Sequence, residues 1–153
     1  VLNGVCDAIG PERVGMRMSP FGIVQGMRED VPLDTFIPWA KAIVAAQPRL
    51  AYIHAVTPRT YGTADLPANM IIESDDLQPI RDIANKADIP FISAGAYRPD
   101  GAVEAADKHG DLVAFGRYFI SNPDLPARIA NGWELNNYDR STFYTRGAKG
   151  YVE

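Results

Sequence analysis

The stretch Pro90-Phe91-Ile92-Ser93-Ala94-Gly95-Ala96-Tyr97 is an apolar run that closes on small residues and a glycine. Pro90–Ala94 has the length and composition of a β-strand, and the glycine after it lets the backbone approach a ligand. Three comparable runs lie outward from it: Val14–Met18 and Leu50–Val56 before it, Leu112–Phe115 after it. None alternates cleanly between apolar and polar residues, which predicts strands covered on both faces, as in parallel sheets.

Helical patterns separate the runs. Pro32-Leu33-Asp34 opens one that carries Phe36, Ile37, Ala40, Ile43 and Val44 at helical spacing and stops at Gln47-Pro48. Ser74-Asp75-Asp76-Leu77 predicts an N-terminal cap, with Ile80, Ile83, Ala84 and Ala87 following on one face. Pro99-Asp100-Gly101 starts a helix through Ala102–Lys108, with Gly110 as its stop. Asn122-Pro123-Asp124-Leu125 predicts a capping Asn before a Pro at the first helical position, and a helix to about Ala130 that Gly132 breaks. Strict alternation of strand and helix means parallel strands and an α/β fold. Ser19–Val31 and Thr57–Glu73 read as long loops on the C-terminal side of strands, where such folds place function. Glu134–Glu153 reads as an aromatic, polar tail packing on the rest. Four parallel strands make either an open sheet or half of an eight-stranded barrel, and periodicity does not choose between them.

Composition narrows the function. With 46% hydrophobic and 22% charged residues, the chain has the makeup of a folded domain. The net charge of −4 argues against a nucleic-acid partner. No apolar run approaches the roughly 18–20 residues of a membrane helix, so no membrane partner is expected. A single cysteine, Cys6, excludes an internal disulfide and a Cys-based zinc site. It predicts a reducing, cytoplasmic setting and a small buried side chain. Two distant histidines, His54 and His109, make no metal site. His54, inside a strand, is expected to be a hydrogen-bonded core residue; His109, in the last turn of a helix, carries no chemistry. There is no G-x-S-x-G, no P-loop and no G-x-G-x-x-G after a strand.

Arg17, inside the first strand, is expected to pair with a carboxylate, to reach solvent at the strand end, or to offer its charge to an electron-rich ligand there. Ala94-Gly95-Ala96 and Gly116-Arg117 close the last two strands, where barrels of this class commonly bind phosphate through backbone N–H groups and an adjacent Arg. The alternative is that both glycines serve tight turns and that Arg117 pairs with Asp124. In the tail, Tyr138, Phe143, Tyr144 and Tyr151 either seal an outer surface or supply a ring that closes over a flat ligand.

Three blocks carry a family likeness. Arg13-Val14-Gly15-Met16-Arg17-Met18-Ser19-Pro20 resembles a strand of old yellow enzyme family flavoproteins. The run from Phe115-Gly116-Arg117 through Asn122-Pro123-Asp124-Leu125, and Tyr138-Asp139-Arg140-Ser141-Thr142-Phe143-Tyr144 with Gly150-Tyr151, resemble two further blocks of the same family in the same order. The resemblance implies an FMN-containing (β/α)8 barrel that uses NAD(P)H to reduce activated alkenes such as α,β-unsaturated carbonyls. It implies that Arg17 contacts the pyrimidine edge of the flavin, that Ala94, Gly95, Ala96, Gly116 and Arg117 hold its phosphate region, and that Tyr144 lines the substrate site. Ala96 departs from the Asn or Gly common there, which keeps a backbone contact and loses a side-chain one.

The same resemblance aligns the chain to strands five to eight only, so it is expected to be the C-terminal half of a TIM barrel. The family's catalytic residues belong to the other half, and none is assigned here. The reading is therefore an FMN-binding part of an oxidoreductase whose partner is the missing N-terminal half. A catalytically incomplete half-barrel, or an assembly module that self-associates through exposed sheet edges, is the alternative. A different phosphate-binding barrel enzyme would need a catalytic Lys or carboxylate at a strand end, and no strand here ends that way. A first residue Val1 inside a helical pattern is expected of a piece of a longer product.

Overall fold

The computed structural model describes residues 1–62, 64–72 and 74–151. Glu73, expected in the second long loop, and Val152 and Glu153, expected in the tail, lie outside the described residues, as does Thr63. The chain divides into two compact units, Val1–Ala114 and Phe115–Glu153.

The first unit is a helix layer on a parallel sheet. Its elements are α1 (Leu2–Ile9), β1 (Gly15–Met18), α2 (Pro32–Ala46), β2 (Tyr52–Val56), a short hairpin of β3 (Thr60–Tyr61) and β4 (Ala64–Asp65), α3 (Gln78–Lys86), β5 (Phe91–Ala94), α4 (Pro99–His109) and β6 (Leu112–Ala114). The sheet runs β1-β2-β5-β6 with every neighbouring pair parallel, as the alternation predicted. All four C-terminal strand ends therefore lie along one edge.

Register explains the core. Met18, Ala55 and Ser93 form one buried row, and Ile53 and Phe91 are paired in the next row on the same face. Cys6, Ala40, Ile43, Leu77, Ile80 and Ala84 from the helix side close over them. Cys6 is buried, as its small apolar side chain suggested.

The expectation of strands covered on both faces is not met. The row Arg17–His54–Ile92–Leu112 points the other way. There Arg17 is exposed, and Leu112 and Tyr52 keep 58% and 37% of their surface. The runs fail to alternate because this second face is also rich in apolar residues, not because a second helix layer covers it.

Local signals moved some boundaries. The helix expected from Ser74–Leu77 begins at Gln78, because the Asp76 carboxylate accepts the Gln78 N–H (3.0 Å) in a turn that precedes it. The segment read as a loop from Thr57 contains the β3–β4 hairpin, too short to show a period.

The second unit holds α5 (Arg117–Ser121), α6 (Leu125–Asn131) and an irregular tail. Asn122 does not cap α6, which starts at Leu125 with Pro123 outside it. Its amide nitrogen instead donates to the Tyr118 and Asn136 carbonyls (2.9 and 3.0 Å), and its carbonyl accepts the Asn136 N–H (2.8 Å). The Asn122 amide is fully buried, where its polar atoms need partners, and it finds them on both sides. Gly132, at φ 66°, ends α6 as expected.

Candidate functional site

The C-terminal end of β5 is held by strands on both sides. Ala94 pairs with Val56 on one side and Ala114 on the other. The chain then turns through Gly95 (φ 111°) and Ala96 (φ 53°), both in the left-handed region. A side chain at Gly95 would come within 2.7 Å of the Thr57 hydroxyl, so any other residue is strained at this position. Ala96 in the same region is an uncommon choice held by its surroundings.

Those surroundings come from the end of β2. The Thr57 hydroxyl and the Arg59 guanidinium both donate to the Gly95 carbonyl, each at 3.0 Å. Arg59 also donates to the Thr57 hydroxyl (3.3 Å), and the Thr57 N–H donates to the Ala94 carbonyl (2.8 Å). The guanidinium stacks 4.3 Å above the Tyr97 ring, whose hydroxyl is hydrogen-bonded to the buried Ser93 (3.0 Å). Sequence reasoning missed Thr57 and Arg59, because loop residues show no period; their place directly after a strand was the available signal. Both also line a cavity of about 340 Å3 together with Tyr97, Arg81, Asp75 and Lys108.

Arg17 lies in β1, separated from Ala94 by β2, and presents its side chain on the open face. Its register partner is His54. The expected hydrogen-bonded core histidine is not found: His54 Nε2 is buried with no partner among the described residues. Burial, and then the charge of Arg17, hold the imidazole pKa below its ordinary value. The ring is thus biased towards its neutral form.

In the second unit, Gly116 precedes α5 at φ −106°, and a side chain there would meet nothing within 4 Å. Neither turn geometry nor packing calls for glycine at that position, which removes the tight-turn explanation for Gly116. The Arg117–Asp124 pair is also not formed: Asp124 takes the Arg128 guanidinium at 2.7 Å, one helical turn on. Arg117 lies 5.3 Å from the Tyr138 ring. Tyr138 packs edge-on against Tyr118 (5.2 Å) and beside Phe143 (5.7 Å), so these rings form a local cluster. Tyr144 stands apart, with φ 59° and 86% of its surface exposed, its N–H donating to the Tyr151 hydroxyl (2.8 Å). Tyr144 therefore seals nothing within its unit.

The structure brings Ala94, Gly95 and Ala96 together at one strand end and places Arg17 on the same sheet; Gly116, Arg117 and Tyr144 belong to the other unit. Among the described residues no three His, Cys, Asp or Glu side chains are grouped to hold a metal ion. No described helix is long and apolar enough to cross a membrane.

The sequence profile of the NADH:flavin oxidoreductase / NADH oxidase family matches residues 1–136. A flavin oxidoreductase of Emericella nidulans is 37% identical over all of this chain, which corresponds to 42% of that protein. A chanoclavine-I aldehyde reductase of Penicillium roqueforti is 40% identical, again over the whole chain and 41% of its own length. The chain thus spans about two fifths of the curated relatives it matches. The structure of morphinone reductase superposes with a TM-score of 0.80 at 32% identity, covering 99% of this chain and 38% of that one. Another structure of morphinone reductase holds tetrahydroNAD. By profile, sequence and fold together, the chain belongs to the NADH:flavin oxidoreductase / NADH oxidase family, the old yellow enzyme flavoproteins, whose cofactors are FMN and NAD(P)H.

Proposed function

We propose that this chain is the FMN-binding, C-terminal half of a TIM-barrel ene-reductase, contributing strands five to eight. The observation that carries the reading is the turn Gly95–Ala96, fixed at the end of a parallel strand in a chain of a flavin oxidoreductase family. A strained turn with anchored carbonyls suits a backbone contact to phosphate oxygens. Glycine at Gly116, where no packing demands it, suits a close approach of the same kind. In this reading Ala94, Gly95, Ala96, Gly116 and Arg117 hold the phosphate region.

Arg17 suits the other end of the cofactor. Its exposed guanidinium leaves a charged donor on the open face that a polar planar ring would satisfy. Arg17 would offer positive charge where negative charge develops on the pyrimidine edge. Tyr144 would line the substrate pocket. Bound FMN would supply the hydride chemistry between NAD(P)H and an activated alkene of the α,β-unsaturated carbonyl type. The whole protein would act in the cytoplasm.

The test is flavin absorbance of the purified chain on addition of FMN. Binding that Arg117→Ala abolishes supports the reading; a yellow complex that the substitution leaves unchanged rejects the phosphate role.

The open sheet face favours a second reading, that the chain alone has no activity and needs an N-terminal half-barrel. Arg17, Tyr52 and Leu112 on that face would then be covered by the partner. Turnover of an enone by the isolated chain with FMN and NADPH would reject it.

A further inference from the structure

We infer that Thr57 and Arg59 are positioning residues that aim the Ala96 N–H at the ligand's phosphate; the inference rests on the phosphate reading above and deepens it. No cis peptide bond occurs among the described residues. In a planar trans peptide the C=O and the following N–H point in opposite directions. The Gly95 carbonyl is fixed by two donors, the Thr57 hydroxyl and the Arg59 guanidinium. The Ala96 N–H of the same peptide is therefore fixed too, facing away from Thr57 and Arg59. It donates to no acceptor among the described residues.

The clamp is itself held. Arg59 donates to the turn from one terminal nitrogen and to the Thr57 hydroxyl from Nε, while its flat face rests on Tyr97. Tyr97 is in turn anchored through its hydroxyl to Ser93, which is buried in the strand. The guanidinium is thus committed to the strand-end turn. A Lys at this position would bring charge without the planar fork or the stacking surface. The positive φ at both Gly95 and Ala96 is the conformation this clamp maintains. The chemistry recognised is a phosphate monoester, met by a backbone donor held ready before the ligand arrives.

The experiment is a fluorescence titration of the full chain with FMN and with riboflavin, which lacks the phosphate. The wild-type chain should bind FMN more tightly. Arg59→Met and Thr57→Val should each lower FMN affinity about tenfold and leave riboflavin affinity unchanged. Thr57→Ser, which keeps the hydroxyl, should retain the preference. An Arg59→Met chain with an undiminished FMN-to-riboflavin ratio overturns the inference alone. A wild-type chain with no preference for FMN overturns the phosphate reading, and the inference with it. Should Arg59→Met fail to fold, Thr57→Val gives the same reading. In addition, the amide shift of Ala96 on addition of inorganic phosphate to the wild type reports the N–H directly; an unmoved Ala96 resonance overturns the inference.

Discussion

Arg81 and Asp111 form a two-point ion pair that leaves neither side chain to solvent: Arg81 Nε and its terminal nitrogen donate to the two carboxylate oxygens at 2.7 and 2.8 Å. The pair ties α3 to the residue before β6, and the guanidinium lies 5.2 Å from the Phe91 ring. Breaking one partner leaves an uncompensated buried charge. Arg81→Ala should therefore cost about 3–5 kcal/mol in urea unfolding. Arg81→Met with Asp111→Leu should recover most of that loss; a double variant as unstable as the single one would show that packing, not charge, is at stake.

Gly95→Ala should destabilise the chain by about 1–3 kcal/mol, because φ 111° is poorly accessible to a side-chain residue and the new methyl meets the Thr57 hydroxyl. Equilibrium denaturation reads this directly. The same shift in Gly132→Ala, which has space around it but also a positive φ, would assign the cost to backbone conformation alone.

His54 should make stability fall with acid. Its folded pKa lies below the ordinary imidazole value of about 6.5, through burial and then the charge of Arg17. Just below that pH the unfolded chain binds the proton and the folded chain does not. The contribution is therefore complete above about pH 6.5 and is lost as pH falls towards the folded value. His54→Leu should flatten the slope of urea midpoint against pH over that window, and it also removes an unpartnered buried nitrogen. A slope unchanged by the substitution assigns the titration to another group.

Leu112, 58% exposed on edge strand β6, should promote association of the isolated chain. Leu112→Lys should shift sedimentation towards the monomer. An unaltered distribution would place the contact elsewhere.

Much of this was legible from residue types. The four strands, their parallel direction and the helix stops at Gln47, Gly110 and Gly132 follow from short apolar runs and from residues with restricted or permissive backbones. Asn122 misled because the same amide that caps a helix also fits a buried crossroads, and only the position of Asn136 decides between them. The exposure of Arg17 was one of the outcomes its strand-end position allowed, but an apolar run looks alike whether one face is covered or two, so residue type did not choose between them. Thr57 and Arg59 were invisible as a clamp because their target is a main-chain carbonyl, which every sequence offers everywhere. His54 was read as satisfied on general grounds; its buried Nε2 meets no partner among the described residues, which depends on neighbours that residue type alone does not name.

The sheet order β1-β2-β5-β6 has a kinetic consequence. Apart from the small hairpin, chain order and sheet order agree, so each strand docks beside the one made just before it. Every such docking waits for a crossover segment to close, which slows each step relative to a hairpin. During ribosomal synthesis the sheet would grow one strand at a time, always in the same direction, with an unpaired growing edge. Ile53, which takes part in both the β1–β2 and the β2–β5 pairings, should then have a high φ-value, and Leu112, on the last strand to arrive, a low one.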